Sequence, residues 1–205
     1  MTIKKEIRVP RQERSTETRN KILTAGKKLF SERGFYKTNS KQIAKEAGVA
    51  TGTFYMYFKD KKPLFLEIFL SYYNEITEKV LQLPLSGLTT IEEGKQMIND
   101  LVDQLFVAHN IAPGFHREMI TMIYSDPDVK QINDIEEDKV IGLLSNYLKL
   151  HKNILRVDDY DAAAQLVQKS AEEIIHSIRI FGGKLDENRM LTQLKDMICR
   201  YLFLD

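Results

Sequence analysis

Residues 40–61, SKQIAKEAGVATGTFYMYFKDK, decide the fold of this chain. Ile43, Ala44 and Ala47 recur at i, i+1 and i+4, the spacing of one buried stripe on a helix that Asn39 or Ser40 can cap. Gly48 ends that helix. Glycine alone reaches the left-handed conformation without steric cost, so Ala47-Gly48-Val49 is placed as the turn between two crossing helices, with Val49 packed inward beneath it. The next helix, 51–58, holds a glycine, two threonines and several aromatics in about two turns. Such a segment has little helix propensity of its own and must be held from outside. Phe54 and Phe58, four apart, can bury against the domain, which leaves Thr51, Gly52, Thr53, Tyr55, Met56 and Tyr57 on an exposed polar and aromatic face. A recognition helix in a DNA major groove has this make-up. An aromatic-rich core helix of some other fold is the competing reading.

The run 48–61, GVATGTFYMYFKDK, resembles the helix-turn-helix of TetR-type transcriptional regulators: a glycine turn, a small-residue start, aromatic-x-aromatic-Phe and a lysine pair. The resemblance extends over residues 22–64, about a fifth of the chain; beyond that it rests on helical layout alone. It departs from the family at Lys62 and Pro63, where many relatives carry acidic residues that suit a helix N-terminus.

Composition bounds the rest. The 205 residues are 43% hydrophobic with five prolines and ten glycines, enough for a helix-dominated domain of ordinary size plus a smaller one. A single cysteine, Cys199, excludes an intrachain disulfide and points to a reducing, cytoplasmic setting. No apolar run approaches the roughly 18 residues of a spanning helix, and no export signal is read at the charged N-terminus, so a soluble protein without a membrane partner is expected. The net charge of +1 conceals a segregation: residues 1–63 hold 16 Lys and Arg against 6 Asp and Glu, the remainder 14 against 23. A basic small module on an acidic larger one is expected where only the former meets a polyanion.

The chain therefore reads as all-α: a basic arm at 1–14, a three-helix, homeodomain-like helix-turn-helix domain at 15–62, and a helical effector-binding and dimerisation domain at 63–205, with a connecting helix over 63–83. The arm either enters a minor groove or is an idle tail. The first helix is predicted over 16–33, with Ile22, Gly26, Leu29 and Phe30 on its buried face and Gly34 as its stop. Ser40 and Lys41, with the backbone N–H groups of the second helix, are expected to clamp a phosphate, and Lys61 is expected on another. Further helices are predicted at 91–110, 115–124, 127–152, 161–181 and 187–203, punctuated by Pro84 with Leu85-Ser86-Gly87, Pro113-Gly114, Asp126-Pro127 and Gly182-Gly183. No strand pattern or repeat is found.

Catalysis finds no support. His109, His116, His151 and His176 are dispersed singly, with no paired-histidine spacing, no HExxH, no CxxC and no glycine-rich phosphate loop, so no catalytic centre, metal site or cofactor is expected. Cys199 reads as a buried, inert thiol. Phe106, His109, His116, Met119, Tyr147, Glu172 and His176 place polar groups beside apolar faces; each alone is a satisfied core group, and together they fit an apolar cavity with a few polar handles. The resemblance implies such a cavity between helices five to eight, and Met97, Met119 and Met122 suit an adaptable wall. It also implies that helices eight and nine meet a second copy through Ile174, Ile178, Phe181, Leu194, Met197 and Tyr201.

These expectations make the chain a homodimeric DNA-binding transcriptional regulator, a repressor released from a pseudo-palindromic operator by an unidentified small, largely apolar effector. By the same resemblance Thr51 and Thr53 lie nearest base edges, Tyr55 and Tyr57 on phosphate, and Met56 touches a thymine methyl or simply packs. The alternative is a DNA-bound architectural or protein-recruiting factor with no small-molecule effector.

Overall fold

The computed structural model describes residues 11–81 and 89–204. Among them are nine α-helices and one 3-10 turn, and the only strand-like pairing is an isolated bridge between Leu155 and Phe203. The all-helical expectation holds. The predicted arm over 1–10 and the predicted helix stop at 82–87 lie outside the described residues. The chain divides into two compact units between Leu70 and Ser71, within one continuous helix.

The N-terminal unit contains α1 (Arg11–Arg33), α2 (Ser40–Glu46), α3 (Thr51–Tyr57) and the first half of α4 (Lys61–Leu81). Helix α1 starts five residues before the predicted position, so residues 11–14, expected in the arm, form its first turn. Arg, Gln and Glu are good helix formers, and the Thr16 and Thr18 hydroxyls donate back to the Gln12 and Arg14 carbonyls. The core is aromatic: the Phe30, Phe35 and Phe65 rings lie 5.3–5.7 Å apart, two of the pairs edge to face. Gly26 lets α1 approach α4, since a Cβ there would stand 2.8 Å from Leu64 Cδ2. Arg19 spans α1, α3 and α4 by lying 5.4 Å from the Phe58 ring centre and pairing with Glu67.

The C-terminal unit continues α4 and adds α5 (Ile91–Ala108), α6 (Pro113–Ser125), α7 (Pro127–Leu150), a 3-10 turn (Lys152–Ile154), α8 (Tyr160–Arg179) and α9 (Glu187–Leu202). Each start follows from its sequence. Thr90 and Glu93 form a capping box on α5; Asp126, Asp159 and Asp186 cap α7, α8 and α9; Pro113 and Pro127 occupy first turns, where a missing N–H costs nothing. Pro113-Gly114, expected only to break the preceding helix, thus opens the next. One core of Ile98, Val102, Leu148, Ala163, Ile175, Ile198 and their neighbours joins α5, α7, α8 and α9. The Arg156 N–H donates to the Leu202 carbonyl at 2.9 Å and fastens the segment before α8 to the end of α9.

Candidate nucleic-acid interface and ligand cavity

The turn after α2 is a Schellman motif. Gly48, at φ 67°, donates to the Lys45 carbonyl at 3.1 Å, and Val49 donates to the Ala44 carbonyl at 3.0 Å. At the other end Asn39 and Gln42 cap one another reciprocally, at 2.9 and 3.0 Å. Val49, expected to be inward, is half-buried. Helix α3 has no side-chain cap and is held by its two anchors, Phe54 at 0% and Phe58 at 4% exposure, whose rings lie 5.9 Å apart.

The face opposite those anchors is open. Met56 is 81% exposed and Tyr55 53%, Gly52 is exposed, and Thr51, Thr53 and Tyr57 are half-buried. The Tyr57 hydroxyl lies 3.1 Å from Ser15 Oγ and ties α3 to the first turns of α1. Lys41 stands exposed on α2, with Ser40 half-buried beside it.

Lys61 is a correction. Expected on a DNA phosphate, its ammonium instead donates to the Phe35 carbonyl at 2.6 Å and the Thr38 carbonyl at 2.8 Å, and sits 4.2 Å from the Phe35 ring centre. It closes the α1–α2 loop onto the start of α4. Lys61→Met is therefore expected to cost about 1–3 kcal/mol of stability and to leave the salt dependence of DNA binding unchanged. Lys41→Ala should do the reverse, lowering the slope of log affinity against log salt by about one. Urea unfolding and binding isotherms at several salt concentrations check both.

The C-terminal unit holds a partly open cavity of about 170 Å³, lined by residues from the far half of α4 and from α5 to α9. Its wall is largely aliphatic and includes Met97 and Met119, while Tyr73, His109, His116, Tyr147, Gln168, Glu172 and His176 supply polar atoms. Six of the seven residues expected at a pocket thus meet here. Phe106 does not: it packs in the core, with the Arg179 guanidinium 3.6 Å from its ring centre. Burial sets the electrostatics. It holds the Glu172 carboxyl up at about 7 against the opposing Gln168 hydrogen bond, and raises the Tyr147 phenol to about 12. The Tyr147 hydroxyl is buried without a hydrogen-bond partner among the described residues.

The histidines that look dispersed in sequence converge. His109 caps the end of α5, His116 lies on α6 and His176 on α8, and their ring centres are 4.7, 4.8 and 5.2 Å apart. Burial first, then the mutual repulsion of their charged forms, depresses His116 to about 2 and His176 to about 4. No spacing rule could reveal the cluster, because its members lie up to 67 residues apart and meet through helix packing alone.

On α8 and α9 the expected second-copy surface is partly corrected. Phe181, Met197 and Tyr201 are exposed, joined by Leu166 and Leu185, and Ile174 and Ile178 are half-buried. Leu194, at 3% exposure, belongs to the core, on the same side of α9 as Leu191 and Ile198.

A short exposed helix carried on a glycine turn defines a helix-turn-helix protein. Residues 22–68 match the family described as bacterial regulatory proteins, tetR family, and residues 95–202 match the tetracyclin repressor-like C-terminal domain. The second match alone takes in more than half of the chain, and the chain belongs to the TetR family.

The HTH-type transcriptional regulator HbdR of Aromatoleum sp. (strain CIB) is 43% identical over 75 residues, 36% of this chain and 31% of that protein. The fatty acid metabolism regulator protein of Bacillus subtilis (strain 168) is 27% identical over 134 residues, 65% of this chain and 64% of that one. The chain thus spans from about a third to just under two thirds of these curated relatives. A candidate transcriptional regulator from Saccharomonospora viridis, solved in complex with choline, shares the fold with a TM-score of 0.75 at 17% identity, over 93% of this chain and 100% of that one.

Proposed function

We propose that this chain is a cytoplasmic, homodimeric repressor of transcription that reads a pseudo-palindromic operator through α3 and releases it when a small, largely apolar effector enters the cavity. The observation that carries this reading is the division of α3 into a fully buried phenylalanine anchor and an exposed face of Gly52, Tyr55 and Met56, flanked by Thr51 and Thr53. A core helix would bury that face. Thr51 and Thr53 are assigned to base edges, Tyr55 and Tyr57 to the phosphate backbone, Met56 to a thymine methyl, and Ser40 with Lys41 to a phosphate; Gly52 permits close approach. Two copies joined through Phe181, Met197 and Tyr201, with Ile174 and Ile178 at the margin, would carry two such heads.

The cavity supports an effector over a purely architectural role, which needs no apolar cavity. A largely apolar body with a polar group suits its lining. Release requires that the effector bind the DNA-free conformation more tightly than the DNA-bound one.

Selection of bound fragments from genomic DNA, followed by fluorescence anisotropy, tests the reading. An inverted repeat with half-sites about 34 Å apart or a multiple of that, bound with steep salt dependence, is expected. Absence of salt-sensitive binding to any duplex removes it. Tyr147→Phe should raise the stability of the free protein by up to about 1 kcal/mol, since an unpartnered buried hydroxyl is lost, while weakening release by an effector that uses it. Thermal melts and operator release read the two effects separately.

A further inference from the structure

Three imidazoles that share one pocket end and aim nitrogen atoms at each other form a ligand set. The nitrogens available on His109, His116 and His176 all lie within 4.8 Å of one another, and the Nε2 atoms of His116 and His176 are 2.9 Å apart. The other ring nitrogens of the two buried members are engaged from behind. His109 Nδ1 lies 2.8 Å from the Leu105 carbonyl, which can only accept; Nδ1 therefore carries the proton and Nε2 keeps its lone pair. His116 Nδ1 lies 3.2 Å from the hydroxyl of Tyr72, a residue that is itself fully buried. Metal-binding histidines are oriented in this way, by a carbonyl or hydroxyl on the nitrogen away from the ion.

We infer that His109, His116 and His176 form a binding site for a divalent transition-metal ion, with Zn²⁺ as the reference ion. Three neutral imidazoles at tetrahedral angles suit Zn²⁺, and Co²⁺, Ni²⁺ and Cu²⁺ are competitors for the same nitrogens. Zn–N bonds of about 2.0–2.1 Å require N···N separations of roughly 3.3 Å, so the ion enters by spreading the His116–His176 pair slightly and drawing His109 inward. The proton shared between His116 and His176 must move. If His176 donates it in the free form, His176 carries it on Nδ1 in the bound form and Nε2 becomes a ligand, with no net proton released. The three histidines line the cavity, so the fourth coordination position faces that space. Glu172, one turn before His176 on α8, lines it too and brings a carboxylate to the same space. The site is independent of the DNA-reading proposal, because ion binding is read on the chain itself.

The test uses the full chain, stripped with EDTA and dialysed into metal-free buffer. Titration with Co²⁺, followed in the visible spectrum, should give the intense d–d bands of tetrahedral coordination, saturating at one ion per chain, and Zn²⁺ should displace it with a dissociation constant below about 10 µM. His116→Phe and His176→Gln should each weaken binding at least about 100-fold, and Tyr72→Phe, which removes only the hydroxyl behind His116, about 10-fold. His151→Gln, the remaining histidine, should change nothing. Circular dichroism shows which variants stay folded, and His176, half-buried, is the substitution the core tolerates best. The assignment is overturned if the wild-type chain fails to saturate with Co²⁺ or Zn²⁺ below about 100 µM. Binding that survives in folded His176→Gln, or that disappears in His151→Gln, also overturns it.

Discussion

Phe54→Ala is expected to lower the stability of the N-terminal unit by about 3–5 kcal/mol and to abolish operator binding. Phe54 is entirely buried within a helix of seven residues that has neither a side-chain cap nor favourable composition. Gly52 alone costs about 1 kcal/mol relative to alanine in such a position. What keeps α3 in place is the packing of Phe54 and Phe58, with Arg19 against Phe58 from outside. Removing the larger share of that packing removes the helix. Tyr55→Ala, one residue along and 53% exposed, is the control. It should leave the melting curve within about 0.5 kcal/mol of wild type while costing about 1–3 kcal/mol in DNA affinity. Thermal unfolding by circular dichroism and anisotropy on the selected operator measure both. If Tyr55→Ala unfolds the unit, or Phe54→Ala leaves it intact, the inward and outward faces of α3 are assigned the wrong way round.

Acidification from pH 7 to pH 4 in metal-free buffer is expected to destabilise the C-terminal unit by about 3 kcal/mol or more. The sign follows from which state takes up protons. Unfolded histidines protonate as pH falls through 6.5, whereas burial keeps His176 neutral down to about 4 and His116 to about 2. Their contribution is therefore complete above pH 6.5 and drains away below it, by about 1.4 kcal/mol per unit of pKa difference for each group. Glu172 works the other way. Burial raises it from 4.5 to about 7, so the native state binds its proton first and gains stability as pH falls across that interval. Glu172 and His176 roughly cancel; His116, with the likewise depressed His109, leaves a net loss in acid. Urea unfolding at pH 7, 5.5 and 4 gives the profile. Glu172→Gln should steepen the acid loss and His176→Gln should flatten it; a wild-type profile that rises towards pH 4 would contradict the ordering.

What was legible in the sequence was local. Gly48 with its flanking apolar stripe, Phe54 and Phe58 four apart, and the Asp-Pro start of α7 each encode a conformation within a few residues, and the helices stand within about five residues of their predicted positions. Errors arose where the outcome depends on neighbours distant in sequence. Lys61 reads as a surface cation until the loop carbonyls of Phe35 and Thr38 come round to meet it. Leu194 and Met197 both fit the apolar stripe of α9, yet their positions on its circumference put one in the core and the other outside. The histidine cluster is the extreme case: His109 at the end of α5 and His116 on α6 meet His176 only once both helices have packed near α8.

Because Phe54, Phe58 and the Gly48 turn hold α3 from its inner side, the exposed positions 52, 55 and 56 contribute little to the scaffold, and 51 and 53 stand half-buried at its margin. A combinatorial library at those five sites should therefore yield mostly folded proteins that differ in preferred DNA sequence. Re-targeting this chain to a new promoter becomes a search over surface chemistry, with the interior left untouched.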